Sequence, residues 1–286
     1  MIGGLLIDKP IGWTSHDVVA VVRRRLGVRA VGHAGTLDPF ATGLLVVLVG
    51  RATRLARFVE ATAKAYDAVI RFGAATDTDD ATGTVVRTLA PDTWPDVAAI
   101  DGALAARCGV RPQRPPAYSA KHVAGRRSHA LARAGIAVEL LPVAVQVHEL
   151  ARRGWDPPDL AVHAVVGKGT YLRAIARDLG EDLGIPAHCA ELRRTRVGPF
   201  SVEAAASPES VEPDHLLPPA AMVAHLEQVT VSDTEVRELG FGRSIGRQAD
   251  GEGPAALVAV DGRLVAVAEA ADGSRWQPVV VLEPAA

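Results

Sequence analysis

The chain has 286 residues, of which 48% are apolar, 22% charged and 4% aromatic, with a formal net charge of -2 and two cysteines. That length and apolar share suffice for a full core divided between a large and a small domain, and they exclude a disordered protein. Cys108 and Cys189 lie far apart and form no C-x-x-C pair, so neither a disulfide framework nor a zinc ribbon is indicated and both read as buried thiols.

The segment from Met1 to Lys9 reaches a charge after a short apolar run, which fits neither a signal peptide nor a membrane span, and a cytoplasmic address is expected. Residues 5–8 within it read as a strand. Ser15 can cap a helix with Val18, Val19, Val22 and Leu26 on one face, closed by Arg23 to Arg25 and Gly27. Next comes Gly32-His33-Ala34-Gly35-Thr36-Leu37-Asp38-Pro39-Phe40-Ala41-Thr42-Gly43-Leu44-Leu45. Gly32, Gly35 and Gly43 permit backbone angles or close approaches that side chains forbid, and Pro39 keeps Asp38 out of helical geometry. On composition alone a connecting turn is the commoner reading, and a loop built to present Asp38 is the alternative.

Leu44 to Val49 is a continuous apolar run suited to a strand buried on both faces, followed by an arginine-bearing helix around Arg51 to Val59. Tyr66 to Phe72 reads as a strand, Asp77 to Gly83 as a polar turn, Asp96 to Ala106 as a helix and Arg111 to Pro116 as an extended segment. Val143 to Leu150 and Leu160 to Val166 read as paired strands. Thr170 can cap a helix with Leu172, Ile175, Ala176 and Leu179 on one face, closed by Gly180 or Gly184. After the proline-rich, acidic run from Ser207 to Pro219, a boundary near Gln228 divides the chain into residues 1–228 and 229–286. The tail reads as short strands and one helical piece at Asp233 to Leu239, a small β domain. The whole pattern is mixed α/β.

Charge is unevenly spread. Residues 1–200 carry 26 Lys and Arg against 19 Asp and Glu, a balance of +7, whereas residues 201–286 carry 5 against 14, a balance of -9. Between Asp101 and Glu139 no carboxylate occurs, yet Arg107, Arg111, Arg114, Lys121, Arg126, Arg127 and Arg133 all do. Such a stretch is either a solvated face or a track for phosphates. Only four lysines, Lys9, Lys64, Lys121 and Lys168, stand beside 27 arginines, and all four lie in motif-like segments, where a compact ammonium is not replaceable by a planar guanidinium.

Two motifs are decoys. Asp77, Asp79 and Asp80 resemble the start of a calcium loop, but Thr88 stands at the twelfth position where a Glu is needed, so no metal is expected. Gly242-Arg243-Ser244-Ile245-Gly246 satisfies G-x-S-x-G, but a helical piece precedes it and a polar, turn-like segment follows, the wrong context for a nucleophile elbow. No P-loop or dinucleotide fingerprint occurs.

The Asp38 loop resembles the signature of the TruB family of tRNA pseudouridine synthases. Further segments carry the resemblance in the same order: Asp8-Lys9-Pro10, Lys64-Ala65-Tyr66, Thr76 to Gly83, Gln113 to Ala120, Gly167-Lys168-Gly169-Thr170-Tyr171-Leu172-Arg173 and Leu192-Arg193-Arg194. It runs from about Leu5 to Gly198, and the tail resembles the family's small PUA-type RNA-binding module mainly by position. The resemblance implies an α+β pseudouridine-synthase fold, with a central mixed, largely antiparallel sheet flanked by helices and a small β-rich C-terminal domain.

It also implies a reaction without cofactor, in which Asp38 attacks the target uridine of the TΨC arm of tRNA at the sugar's anomeric carbon or on the uracil ring. The base detaches, turns and rejoins the ribose through carbon. Tyr66 would stack on that base and is a candidate for taking the ribose proton, Tyr171 would line the pocket, and Arg173 would pair with Asp38 and lower its pKa. His33 would fill the place of the nucleotide flipped from the RNA. Lys9, Lys64, Asp80, Lys168, Leu192 and Arg194 from the shared motifs, with Lys121, His122, Arg126, Arg127 and Arg133 from the basic stretch, would grip RNA. Without the resemblance, Tyr66 and Tyr171 read as core residues, Arg173 as a surface cation and His33 as a loop histidine. Lys121-His122 departs from the family's order of a variable residue and then lysine, and His129 stands where tyrosine is usual, so the grip on RNA differs in detail. A non-catalytic tRNA-folding chaperone and a hydrolase using Ser244 are the rival readings.

Overall fold

The computed structural model describes residues 1–118, 140–246, 253–271 and 273–284, with the backbone alone of 122–123 and 126–127. The larger sheet is ordered β1 (Gly3–Lys9), β3 (Thr42–Val49), β12 (Ala187–Val197), β4 (Lys64–Phe72), β11 (Asp159–Val166), β10 (Val143–Asp156) and β7 (Gly109–Gln113). Strand β2 (Val31–Ala34) adds to β3, and β13 (Phe200–Ser201) to β12. Two hairpins stand apart: β5 (Ala74–Thr76) with β6 (Val85–Thr88) around the polar turn, and β8 (His122–Val123) with β9 (Arg126–Arg127) in the basic stretch. In the larger sheet only β12 and β3 run parallel, which gives the mixed, largely antiparallel sheet expected.

That parallel pairing is short. Arg193 lies opposite Thr42 and Arg194 opposite Gly43, after which β2 takes the place beside β3, from Ala34 opposite Val46 to Val31 opposite Val49. The sheet splits there, and the chain joining β2 to β3, which contains Asp38, lies in the split. Gly43 is required at the junction: its φ is +99°, and a Cβ would stand 2.3 Å from the Arg194 carbonyl oxygen.

Strand β3 is buried on both faces, as its apolar run predicts. Leu45, Val47 and Val49 pack with Leu5, Ile7 and the Val18, Val19, Val22 and Leu26 face of helix α1 (Ser15–Leu26). Leu44, Val46 and Leu48 face the other way, into a cluster with Val258, Leu264, Val267, Val280 and Leu282 of the tail. A further cluster joins β4, β10, β11 and β12 to helix α4 (Leu172–Asp182), with α2 (Ala56–Ala61) beside the first half and α3 (Val97–Ala106) beside the second. The tail sheet is ordered β14 (Glu227–Val231), β16 (Ala255–Ala259), β17 (Leu264–Ala271), β18 (Arg275–Val281) and β15 (Ile245–Gly246), with helix α5 (Asp233–Gly240) against it.

Some local expectations need correction. Thr14, not Ser15, caps α1, in a reciprocal capping box with Asp17. Thr170 does not cap α4: its hydroxyl donates to Gln146 O at 3.4 Å, and Tyr171 holds the cap position with no side-chain cap bond. Gly180 lies inside α4, where a Cβ would meet Ala187 N at 2.7 Å, and it is Gly184, at φ +70°, that follows the helix end. Cys189 is buried but Cys108 is only half-buried. Strand β12 was not foreseen at all.

Candidate active site

The loop between β2 and β3 is held by side chains on its flanks. Ser15, released from capping, sits buried at the start of α1, where its Oγ accepts from Leu37 N at 2.9 Å and donates to Leu37 O at 3.2 Å. Lys9, at the end of β1, is fully buried and donates through Nζ to Trp13 O at 2.7 Å, Pro10 O at 2.9 Å and Pro39 O at 3.5 Å. Arg194, at 1% exposure on β12, donates to Leu44 O at 2.7 Å, Gly35 O at 3.1 Å and Thr36 O at 3.4 Å. Glu60 Oε1 accepts from Gly35 N at 3.2 Å. Leu37, Phe40 and Ala41 enter the core beside Tyr66, so the apolar neighbours of Asp38 are anchored while its carboxylate turns outward.

The carboxylate lies in a cleft of about 440 Å³ lined by Asp38, Glu60, Lys64, Tyr66, Tyr171 and Arg173, with Leu192 and Lys168 in the wall. That volume falls in the range of small-molecule pockets. Arg173 Nε is 2.9 Å from Asp38 Oδ2, with the Arg173 side chain 4% exposed and that of Asp38 35% exposed toward the opening. The rest of the guanidinium is also engaged: one terminal nitrogen donates to Thr78 O at 2.9 Å and stands 3.3 Å from Asp80 Oδ2, and the other donates to Tyr118 O at 2.9 Å. With both terminal nitrogens bonded to backbone carbonyls, the buried guanidinium is held with its Nε edge toward Asp38.

Arg173 lowers the Asp38 pKa, in the expected direction, but does not decide the net shift, which is upward. Burial among the cleft walls pushes the carboxyl above the ordinary 3.8, Arg173 opposes this, and nearby Asp80 adds to it. Two carboxylates share one guanidinium, so the salt bridge orients Asp38 without fully compensating its desolvation.

Tyr66 reaches the cleft from β4, buried to 9% exposure. Tyr171 is fixed by its backbone: its N–H donates to Gln113 Oε1 at 2.9 Å and its carbonyl accepts from Gln113 Nε2 at 3.1 Å, with the Gln113 side chain buried. His33 lies half-buried on β2, its ring 6.0 Å from that of His16 in an edge contact, and its Nδ1 is buried with no hydrogen-bond partner among the described residues. Burial, with His16 nearby, lowers its pKa and so disfavours the charged imidazole.

Of the residues expected to grip RNA, several are occupied otherwise. Lys9 and Arg194 are spent on loop carbonyls. Lys64 is 7% exposed and donates to Glu60 O and Thr62 O, and burial lowers its pKa to about 8. Asp80 is buried, accepting from Thr78 and Thr82 while paired with Arg173. These four brace the site. Lys168 is exposed at the rim, 3.8 Å from Glu60, and Leu192 lines the cleft. Lys121 and Arg133, and the side chains of His122, Arg126 and Arg127, lie outside the described residues. Arg107 leaves the basic track: it pairs with Asp178 and Asp182 on α4.

The part that Ser15, Glu60 and Gln113 play at the site escaped the sequence reading, which took Ser15 as a helix cap and Gln113 as part of a shared motif. The only signal available was position: Ser15 next to a better cap, and Gln113 at the end of a strand leading into a shared motif. Ser244 lies between α5 and the two-residue strand β15, which is not the strand–turn–helix of a nucleophile elbow.

Residues 23–172 match the N-terminal domain of the TruB family of pseudouridylate synthases, 173–218 the C-terminal domain of tRNA pseudouridylate synthase B, and 226–283 the C-terminal domain of tRNA pseudouridine synthase II. The chain is 46% identical over 289 residues to tRNA pseudouridine synthase B of Thermobifida fusca, an alignment spanning 98% of each chain. It is 41% identical to the protein of that name from Gloeobacter violaceus, across 99% of each. Among solved structures, a Cbf5-Nop10-Gar1 complex includes a chain of like fold, with a TM-score of 0.77 and 24% identity over 99% of this chain and 85% of that one. With a cleft that presents one ion-paired aspartate between two tyrosines, and matched along nearly its whole length, the chain belongs to the TruB family of pseudouridylate synthases.

Proposed function

We propose that the protein isomerises a uridine in the TΨC arm of tRNA to pseudouridine, with Asp38 as the nucleophile. The observation that carries this reading is the Asp38–Arg173 pair at 2.9 Å in a cleft walled by Tyr66, Tyr171 and Leu192. Substrate and product contain the same atoms: the N1–C1′ bond breaks, a C5–C1′ bond forms, and the hydrogen on C5 is exchanged for one on N1. A covalent link from the Asp38 carboxylate to one fragment holds it in place while the cleft walls retain the other, and that link breaks as the C5–C1′ bond forms. Tyr66 and Tyr171 line the cleft as flat walls for that base, and Tyr66 is the candidate for taking a proton from the ribose and returning it as the base rejoins. No cofactor enters the scheme.

A nucleotide held in folded RNA reaches this depth only when flipped out, at a cost of roughly a few kcal/mol. His33, on β2 ahead of the loop, is the residue proposed to occupy the gap. Lys168 at the rim, with Arg111 and Arg114, which are exposed, and the residues 119–139, would contact phosphates. The segment from residue 229 onward is proposed as a small PUA-like RNA-binding domain beside a catalytic domain of residues 1–228.

Asp38→Asn tests the reading. On a T-arm hairpin carrying tritium at uridine C5, the variant should release no tritium above background while its Kd for the hairpin stays within about threefold of the parent, because removing the nucleophile leaves the binding surface in place. Sustained release by Asp38→Asn would defeat the proposal, and release by the parent from an unrelated hairpin but not from the T-arm would defeat the assignment of substrate.

A further inference from the structure

Asp79 is the one non-glycine among the described residues with a positive φ, at +59°. A left-handed aspartate costs on the order of 1 kcal/mol and persists where its surroundings hold it. Here its N–H donates to Thr76 O at 3.2 Å, its carbonyl accepts from Cys189 N at 3.0 Å, and its carboxylate pairs with Arg177 at 2.9 Å, with both side chains largely buried. Arg177 lies one turn beyond Arg173 on α4, so the two guanidinium groups project from one face. It donates in addition to Asp178 Oδ1 at 2.8 Å and to Arg114 O at 2.8 Å.

The two arginines work on the same pieces of chain. Arg173 holds Thr78 O, Asp80 and Tyr118 O; Arg177 holds Asp79 between them, and Arg114 O. Asp79 is flanked in sequence by two of the groups that direct the Arg173 fork, so its backbone conformation sets where Thr78 O and the Asp80 carboxylate point. Neither Asp79 nor Arg177 lines the cleft.

We infer that Asp79 and Arg177 are positioning residues: their ion pair pins the left-handed turn and so aims Arg173, and through it the Asp38 carboxylate, at the reacting atoms. The inference rests on the proposed role of Asp38. It assigns to the pair an effect on turnover far larger than any on RNA binding, although Arg177 also holds Arg114 O at the root of the basic stretch.

Two variants test it on the full chain. Asp79→Asn keeps a residue that tolerates the left-handed region and removes the charge. Arg177→Lys keeps the charge and removes the fork that reaches Asp79 and Arg114 O together. Each should lower kcat on the T-arm hairpin by about 10- to 100-fold, the penalty of a misplaced reacting group, with KM and hairpin Kd within about threefold and the thermal midpoint close to the parent's. A kcat within about twofold of the parent in both variants, a rise in KM alone, or a loss of activity that only tracks loss of folded protein would each overturn it. Asp38→Asn run in parallel separates the two ideas: if it stays active the nucleophile assignment fails, whereas an inert Asp38→Asn beside fully active Asp79→Asn and Arg177→Lys sinks the positioning role alone.

Discussion

The carboxylate proposed as the nucleophile, a role that needs its ionised form, is placed where ionisation is resisted. The walls of the cleft and the Asp80 charge push Asp38 above 3.8, and Arg173 gives back only part of that shift. The sign follows directly: the reactive form is present above the folded pKa and is lost as pH falls through it, so the acid limb of kcat/KM should lie higher than the limb of an unperturbed aspartate. Asp80→Asn removes one negative neighbour and should move the limb downward, and a limb that stays in place would show that Asp80 exerts no field on Asp38. At this scale the sequence exposes identity better than posture. Asp38, like Tyr66, Tyr171 and Arg173, was legible through the shared motifs, because its glycine- and proline-flanked segment alone reads more commonly as a connecting turn. Lys9, Lys64, Asp80 and Arg194 were read as contacts for RNA since charge is visible in a sequence and the direction of a side chain is not. Each of them is buried and braces the site.

Among the elements, β3 and α1 were readable and β12 was not, and one physical reason covers both. A strand buried on both faces by aliphatic side chains is a continuous apolar run, and an amphipathic helix shows its period. Strand β12 occupies the middle of the sheet with His188, Glu191, Arg193, Arg194 and Arg196 along it, a pattern that denies a central strand until the partners are known. Arg193 pairs with Asp8 at 2.7 Å, and Arg194 crosses the split in the sheet to the loop carbonyls. Those bonds make β12 the strut that carries the Asp38 loop. Arg194→Met, which retains most of the stem and none of the donors, should cost about 2 kcal/mol or more in urea unfolding, since hydrogen bonds from a charged donor to buried carbonyls contribute about 1.5–3 kcal/mol. An unchanged midpoint would mean that the loop holds its shape without the strut.

The two sheets of the molecule are joined by more than a linker. Leu44, Val46 and Leu48 of β3 share a cluster with Val258, Leu264, Val267, Val280 and Leu282, and at its edge Arg51 donates to Leu282 O, Arg54 to Val281 O, and Arg57 pairs with Glu269. Of these contacts one, Arg57–Glu269, joins an arginine of the body to a carboxylate of the acidic tail, and the other two use backbone carbonyls. An apolar interface built on the strand that follows the Asp38 loop leaves little room for independent unfolding of either part. Heating the full chain should give one calorimetric transition. Leu282→Ala, at a side chain 2% exposed, should lower it as a whole by removing about 2–5 kcal/mol, the usual cost of a large-to-small change in a core. Two resolved transitions, with only one of them moved by Leu282→Ala, would show instead that the β14–β18 sheet folds by itself and that the body does not depend on it.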